Sequence, residues 1–108
     1  MSFPDLLLVL AEQAQEDYED ILSATLQRWG ERQQERYAAL LHDAFLMLRQ
    51  NPAIGYRSRQ LPERYRLLPV GRHLVVYRAT DTMIYVVRLL HERMDIRRHV
   101  LEEDTPSA

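Results

Sequence analysis

The chain has 108 residues, of which 46% are hydrophobic and 28% are charged, and it contains no cysteine. This length and composition indicate one globular domain, because a second core would have too little apolar surface to bury. The lack of cysteine excludes disulfides, thiolate metal sites and cysteine nucleophiles. We expect a cytoplasmic protein, since no run approaches the roughly 18–20 apolar residues of a membrane span. The short apolar run at residues 6–10 follows Asp5 and lacks the positive flank of a secretory signal.

The charge is divided unevenly along the sequence. Residues 1–51 carry four arginines and nine acids, a net charge of −5, whereas residues 52–101 carry ten arginines and four acids, a net charge of +6. All 14 basic residues are arginine, which codon bias explains most simply, although guanidinium groups also suit bidentate contacts to carboxylates or phosphates. The asymmetry favours a partner that meets only the second half. Residues 102–108 are predicted to form an acidic flexible tail, and residues 1–101 the domain.

The first half predicts a strand and two helices. The apolar run at residues 6–10 indicates a first strand. From Glu12 the apolar residues recur at spacings of three and four, which predicts an amphipathic helix with Trp29 on its inner face and a stop at Gly30. A second helix follows and ends at Asn51, because a residue before proline disfavours helical backbone. The short joint between them indicates an antiparallel helical hairpin.

The second half predicts a loop and a meander of strands. Residues 52–63 contain two prolines and one glycine without an apolar period, which is typical of a loop. Runs rich in valine, tyrosine and isoleucine at residues 64–70, 74–79 and 83–90 predict strands joined at Gly71 and Asp81. The order of elements indicates an α+β fold, in which the helical hairpin packs on one face of a curved, mainly antiparallel sheet that includes the N-terminal strand.

Both faces of the last hairpin are apolar. Since side chains alternate along a strand, Leu74 and Val76 face one side while Val75 and Tyr77 face the other. Two helices cover only one of these faces. Either the sheet curves strongly and closes on its own side chains, or a partner covers the second face, because a large uncovered apolar patch usually marks an interaction site.

Histidines and arginines cluster after the last predicted strand. His91, Asp95 and His99 are spaced at four residues and would share one face of a helix, where they could bind a metal. This spacing arises easily by chance, and we predict no metal. No Gly-rich phosphate loop or nucleophile elbow is present, so we also predict no cofactor.

A general acid–base reaction on RNA is a second possibility for this segment. The ordinary pKa of histidine, about 6.5, suits proton transfer near neutrality. The candidate nuclease residues are His91 as acid, Glu63 or Glu92 as base, and three arginines that would stabilise phosphate charge, Arg64, Arg66 and Arg88. The simpler interpretation is that these arginines are solvated residues on an exposed strand face.

The order of several short motifs over residues 6 to 101 resembles the ParE branch of the RelE/ParE toxin superfamily. In the first half these motifs are Asp20-Ile21, Thr25, Arg28-Trp29-Gly30, Gln33, Tyr37, Asn51-Pro52 and Ile54-Gly55. In the second half they are Gly71-Arg72-His73, Val76-Tyr77-Arg78, residues 84–88, residues 90–95 and Arg98-His99.

The resemblance implies a bacterial type II toxin held inactive by a partly disordered, ParD-like antitoxin in a hetero-oligomer. ParE-like proteins poison DNA gyrase, whereas the related RelE and YoeB toxins cut mRNA on the ribosome. A net charge of −2 without lysine favours the gyrase interpretation, because binding to a dense phosphate surface draws on many cations. Direct binding to nucleic acid or membrane is therefore not expected.

This interpretation assigns two sets of contact residues and no catalytic residue. The predicted target-binding residues are Arg88, His91, Arg93, Met94, Arg97 and Arg98. The predicted antitoxin-binding residues are the apolar ones of the hairpin, Leu74, Val76, Tyr77, Ile84 and Val86, onto which an antitoxin would fold as helix and added strand. The alternatives are a ribosome-dependent mRNA endonuclease and a decayed toxin that retains only antitoxin binding.

Overall fold

The computed structural model describes residues 5–103, except for the side chains of residues 102 and 103. Its elements in chain order are β1 (Leu7–Leu10), α1 (Glu12–Trp29), α2 (Glu31–Gln50), β2 (Arg66–Val70), β3 (His73–Ala79), β4 (Met83–His91) and α3 (Ile96–Glu103). The α+β class, the N-terminal strand and the helical hairpin are thus confirmed. None of the described helices is both long and apolar enough to cross a membrane.

The four strands form one open, mixed sheet in the order β1-β4-β3-β2. Strands β2, β3 and β4 are antiparallel neighbours, as the predicted meander requires, and β1 lies parallel to β4. Strand β4 is therefore central, and both terminal parts of the chain meet on it. The sheet does not curl back on its own side chains.

The two helices form the predicted antiparallel hairpin. Gly30 joins them with φ of 91°, a left-handed conformation that glycine adopts without steric cost. The Gln34 side chain donates a hydrogen bond to the carbonyl of Leu22 at 3.1 Å and so ties the second helix to the first. Asn51, directly before a proline, ends α2 as predicted.

The helical hairpin covers the first face of the sheet. Val75 and Tyr77 of β3 pack there with Ile84 of β4, against Ala14 of α1 and Leu41 of α2. These side chains are all buried. The sequence pattern predicts that the helices cover one face of the hairpin, and the structure shows that it is this one.

The second face is covered by other segments of the same chain. This differs from both expected alternatives, which were closure of the sheet and coverage by a partner. Val76, Val87 and Leu90 pack there against Tyr65 from the loop before β2 and Val100 from α3. Neither sheet closure nor a partner is needed to bury them. Helix α3 was not predicted: the predicted acidic tail overlaps its last two residues, and residues 104–108 lie outside the described part of the chain.

The loop before β2 is fixed by hydrogen bonds to the sheet. The backbone N–H and C=O groups of Tyr56 pair with those of Leu67, at 2.8 and 2.9 Å. The buried hydroxyl of Tyr77 accepts the N–H of Gly55 and donates to the carbonyl of Pro52. Pro69 has no N–H to offer along the same outer edge. The outer edge of β2 is therefore largely closed to a further strand.

A buried ion pair joins α1 to the central strand. The Asp17 carboxylate accepts hydrogen bonds from Nε and Nη2 of Arg88 at 2.8 and 3.0 Å and from the backbone N–H of Leu89 at 3.0 Å. Both side chains are at least nine-tenths buried. Strand β1 has ended at this level, since its last pair is Leu10 with Val86. The carboxylate thus occupies the vacated edge of β4.

Arg88 also contacts the opposite side of the sheet. Tyr77 pairs with Val86 while Val76 pairs with Arg88, so the register shifts at Val87 and the strand carries a bulge. Nη1 of Arg88 donates to the carbonyl of His99 in α3 at 3.4 Å. One guanidinium therefore links α1, β4 and α3.

We expect Asp17→Ala to lower the free energy of unfolding by about 3–5 kcal/mol, because it leaves the buried Arg88 guanidinium without its counter-ion. Urea denaturation measures the loss. Asp20→Ala removes an exposed carboxylate from the same helix and should change stability by less than about 0.5 kcal/mol. The double variant Asp17→Leu/Arg88→Met should recover part of the loss. Equal losses in Asp17→Ala and Asp20→Ala would contradict this role.

Candidate functional site

The described surface contains a groove of about 1010 Å³ that is open to solvent on one side. It lies between the C-terminal half of α1, the beginning of α2 and the adjoining ends of β3 and β4. We call it the histidine groove. Its lining residues are Ile21, Ala24, Thr25, Gln27, Arg28, Trp29, Gln33, Tyr37, Arg72, His73 and His91.

Two histidines stand side by side in the groove. His73 begins β3 and His91 ends β4, and the antiparallel register pairs them directly. Their rings meet edge to face, with centroids 5.4 Å apart. Nδ1 of His91 accepts the backbone N–H of Arg93 at 3.2 Å, so the neutral His91 ring carries its proton on Nε2. His91 therefore offers an N–H donor from the ring edge that the backbone leaves unused.

Tyr37 fixes the second ring and the adjacent turn. Its hydroxyl forms a short hydrogen bond with Nδ1 of His73, accepts the backbone N–H of Arg72 and lies 3.2 Å from the carbonyl of Val70. At Gly71 the backbone has φ of 58°, and a Cβ there would lie 2.7 Å from this hydroxyl. The turn between β2 and β3 thus needs glycine both for its conformation and for space.

Burial determines the protonation states of His73 and Tyr37. Desolvation lowers the pKa of His73, and repulsion from His91 lowers it further, while Glu92 and Asp17 act weakly in the opposite direction. Desolvation also raises the pKa of the Tyr37 hydroxyl. Near neutral pH His73 is therefore uncharged and Tyr37 is protonated.

The permanent charge of the groove comes from two exposed arginines. Arg28 lies in the last turn of α1, and Arg72 lies in the turn between β2 and β3. Neither forms a salt bridge with a carboxylate among the described side chains, and no acidic residue lines the groove. The groove can therefore attract an anion.

Trp29 lies at this groove and not in the core. Its side chain is 68% exposed, so the prediction that it packs on the inner face of α1 was wrong. The spacing of Trp29 matches the inner face of α1. However, Trp29 is the last residue of this helix, and only Gly30 separates it from the start of α2. Residues Tyr37, Arg72 and His73 were not predicted as site residues either. The pairing of the two predicted strands could have indicated that His73 belongs to the site, because it places His73 opposite His91.

The structure separates the predicted nuclease residues. His91 lies at the end of the sheet where Val70 and His73 pair, whereas Arg66 pairs with Tyr77. The four steps along the strand from Arg66 to Val70 span about 13 Å. The candidate acid and Arg66 therefore do not face one common site, whereas Glu92, the other candidate base, directly follows His91.

The arginines of the nuclease set have other contacts. The Arg64 guanidinium lies 4.7 Å from the centre of the Tyr65 ring, and Arg66 donates to the carbonyl of Gly55 at 2.8 Å. Arg88 is buried in its pair with Asp17. It is therefore not available at the surface for phosphate or for a target protein.

The other predicted target-binding residues form an exposed segment that we call the basic segment. Arg93, Met94, Arg97 and Arg98 are all exposed. Asp95 accepts the backbone N–H of Arg98 at 3.3 Å at the start of α3, as helix-capping residues do. The segment is thus held at a fixed place next to the groove.

The metal arrangement that the sequence spacing allowed does not form. His91 ends a strand and α3 begins only at Ile96, so His91, Asp95 and His99 do not share a helix face. The described residues contain no group of three or more histidine, aspartate or glutamate side chains placed to hold a metal ion.

The predicted antitoxin-binding residues are mostly inaccessible. Val76, Tyr77, Ile84 and Val86 are fully buried within the two cores of the chain itself, and only Leu74 is partly exposed. Val76 lies on the second face, which α3 and the loop before β2 cover, whereas Tyr77, Ile84 and Val86 lie on the first face under the helical hairpin. An antitoxin could reach these four side chains only by displacing parts of the domain.

Comparison with known proteins establishes the family. The family model described as the ParE toxin of the type II toxin-antitoxin system, parDE, matches residues 8–96. The chain belongs to the ParE toxin family. The resemblance inferred from the sequence motifs is thereby confirmed.

Two relatives of this ParE-family chain span nearly the same length. It is 39% identical over 93 residues to Toxin ParE1 of Mycobacterium tuberculosis, covering 85% of this chain and 95% of that protein. It is 33% identical over 91 residues to Toxin ParE1 of Caulobacter vibrioides, covering 84% and 94%.

Two solved structures share the fold of the ParE-family chain. The chromosomal ParDE toxin–antitoxin system of P. aeruginosa matches with a TM-score of 0.69 at 17% identity, over 80% of this chain and 95% of that one. The toxin–antitoxin complex RelBE2 of Mycobacterium tuberculosis matches with a TM-score of 0.59 at 21% identity, over 82% and 99%.

We expect acid to destabilise the ParE-family chain partly through His73. Its folded pKa lies below the ordinary value of about 6.5, so the unfolded chain binds the proton first. The loss of stability caused by His73 is therefore absent above about pH 6.5 and grows as the pH is lowered further. Urea midpoints between pH 7 and pH 5 should fall less in His73→Gln than in the wild type.

His42→Gln is the matched control for this prediction, because His42 is exposed on α2 outside the groove. It should keep the wild-type dependence on pH. If His73→Gln loses as much stability on acidification as His42→Gln, burial of His73 does not contribute to the pH dependence.

Proposed function

We propose that this ParE-family toxin arrests growth by inhibiting DNA gyrase through binding alone, and that a cognate ParD-like antitoxin neutralises it. The observation that carries the proposal is the family match over residues 8–96. The named relatives are themselves ParE toxins and align with this chain over more than nine-tenths of their length.

The geometry supports a binding function over a nuclease function. His91 lies at the other end of the strand pair from Arg66, and Arg88 is engaged with Asp17. A general acid and base must both reach the reacting atoms within hydrogen-bonding distance or through one water. Glu92 directly follows His91, but two of the arginines suggested to stabilise phosphate charge are engaged elsewhere, Arg66 with the carbonyl of Gly55 and Arg88 with Asp17.

The basic segment is the proposed contact with gyrase. Its three arginines and Met94 are exposed, and a surface of this composition suits an acidic protein partner because arginine pairs bidentately with carboxylates. Arg88 fixes the position of the segment by donating a hydrogen bond to the carbonyl of His99. Of the residues predicted to contact the target, Arg88 therefore has a positioning role and His91 belongs to the groove.

An antitoxin partner is supported by the solved relatives, which are described as a ParDE system and as a RelBE2 toxin–antitoxin complex. Since the sheet faces of this chain are covered, we place antitoxin binding on surfaces outside the two cores. The histidine groove is one such surface.

We expect the purified protein to inhibit supercoiling by gyrase. Arg93→Glu/Arg97→Glu should raise the concentration needed for inhibition by about tenfold or more, because each substitution turns an attractive contact into a repulsive one. Circular dichroism should show an unchanged fold. The control Arg57→Glu/Arg59→Glu places the same charge change in the loop before β2 and should leave inhibition unchanged.

Ribosome-dependent cleavage of mRNA without gyrase inhibition would contradict the proposal and indicate a nuclease. Absence of both activities in a folded protein would indicate a toxin that retains only antitoxin binding. Within cells, expression of the chain should arrest growth, and co-expression of the antitoxin encoded beside it should restore growth. Arrest that no neighbouring gene relieves would contradict the antitoxin part of the proposal.

A further inference from the structure

We propose that the histidine groove binds an acidic segment of the antitoxin, with carboxylates at Arg28 and Arg72 and an apolar side chain against Trp29. This inference rests on the proposed function, because it takes the antitoxin as the partner. It adds the surface on which the partner binds and the chemistry that recognises it.

The shape of the groove suits an extended segment. Its volume of about 1010 Å³ exceeds what a few side chains occupy, yet it is open along one side. Small ligands are usually bound where most of their surface can be enclosed. A peptide segment needs only a groove in which some of its side chains are buried, and this groove offers that.

The charge of the groove selects for carboxylates. Arg28 and Arg72 approach it from α1 and from the turn between β2 and β3, and neither pairs with a carboxylate among the described side chains. His91 adds an N–H donor at Nε2, since its Nδ1 is occupied by the backbone of Arg93. Two guanidinium groups and one ring N–H can satisfy two carboxylates of an extended segment.

The apolar part of the groove supplies an anchor. Trp29 has the largest exposed fraction, 68%, of the large hydrophobic residues that the structure describes as exposed. Ile21 and Ala24 line the same groove on α1. Exposed tryptophans beside arginines are typical of the residues that dominate binding energy at protein interfaces. The segment should therefore carry at least one aliphatic or aromatic residue between its acids.

Single-stranded nucleic acid is a poorer fit than an acidic peptide. Its affinity depends on the number of phosphates that cations neutralise, and the groove has only two permanent cations among its lining residues. The first 51 residues carry a net charge of −5 and the whole chain −2, which opposes a long polyanion.

The single tryptophan of the chain makes the groove directly observable, since all tryptophan fluorescence comes from Trp29. The probe is a synthetic nonapeptide of three Glu-Ser-Leu repeats, and its matched control has Gln in place of Glu. We expect the acidic peptide to shift the emission and to bind more tightly than the Gln peptide. Added salt should weaken the binding of the acidic peptide.

Arg28→Gln/Arg72→Gln should weaken binding of the acidic peptide by about tenfold or more, while Arg57→Gln/Arg59→Gln, the same charge change in the loop before β2, should not. Circular dichroism verifies that both variants are folded. Equal affinity for the two peptides, an equal loss in the two double variants, or tighter binding of a ten-nucleotide oligothymidylate would each overturn the assignment.

Growth assays separate this inference from the proposed function. Arg28→Gln/Arg72→Gln should still arrest growth, and the co-expressed antitoxin should relieve that arrest less than it relieves arrest by the wild type. Full relief would overturn the groove assignment and leave the proposed function intact. If the wild type arrests no growth, the proposed function fails, whereas the peptide titration still decides whether the groove binds an acidic segment.

Discussion

The arrangement of this domain depends on how Asp17 and Arg88 are paired. Strand β1 ends beside Val86, and the Asp17 carboxylate then takes its place at the edge of β4 by accepting the Leu89 N–H and two guanidinium donors. The same guanidinium reaches the carbonyl of His99 in α3. Burying two charges costs desolvation energy that such a pair only partly offsets. Its main effect is therefore positional: it fixes the first helix, the central strand and the last helix relative to one another.

Two surfaces follow from this arrangement, and both begin at the end of β4. His91 faces the histidine groove on the side of the helical hairpin, and the basic segment leaves β4 directly after it. Arg93 connects the two surfaces, because its backbone N–H donates to His91 in the groove while its side chain is exposed in the basic segment. A partner bound in the groove would thus lie close to the proposed target contact. Under the proposed function, an antitoxin in the groove would exclude the target sterically without a change in the fold.

Local signals in the sequence were sufficient for much of the fold. Gly30 and Asn51 end the two helices where their backbone preferences predict, and the strands of the meander lie within two residues of their predicted bounds. Long-range contacts were not readable from local patterns. Arg88 resembles an exposed strand arginine until Asp17, 71 residues away, is known to be its partner. Likewise, Tyr65 and Val100 bury the second face from segments without a long apolar period, so Val76, which was predicted to bind the antitoxin, is a core residue.

The parallel pairing of β1 with β4 also has a consequence for the order of synthesis. Residues 7–10 have their strand partner at residues 83–86, and Asp17 has its cation at position 88. Neither contact can form until the ribosome has made nearly the whole domain, and pairings between such distant residues are slow to form. The helical hairpin can emerge early, but without β4 it has no sheet to cover. A nascent chain therefore lacks the sheet end on which the histidine groove and the basic segment are built.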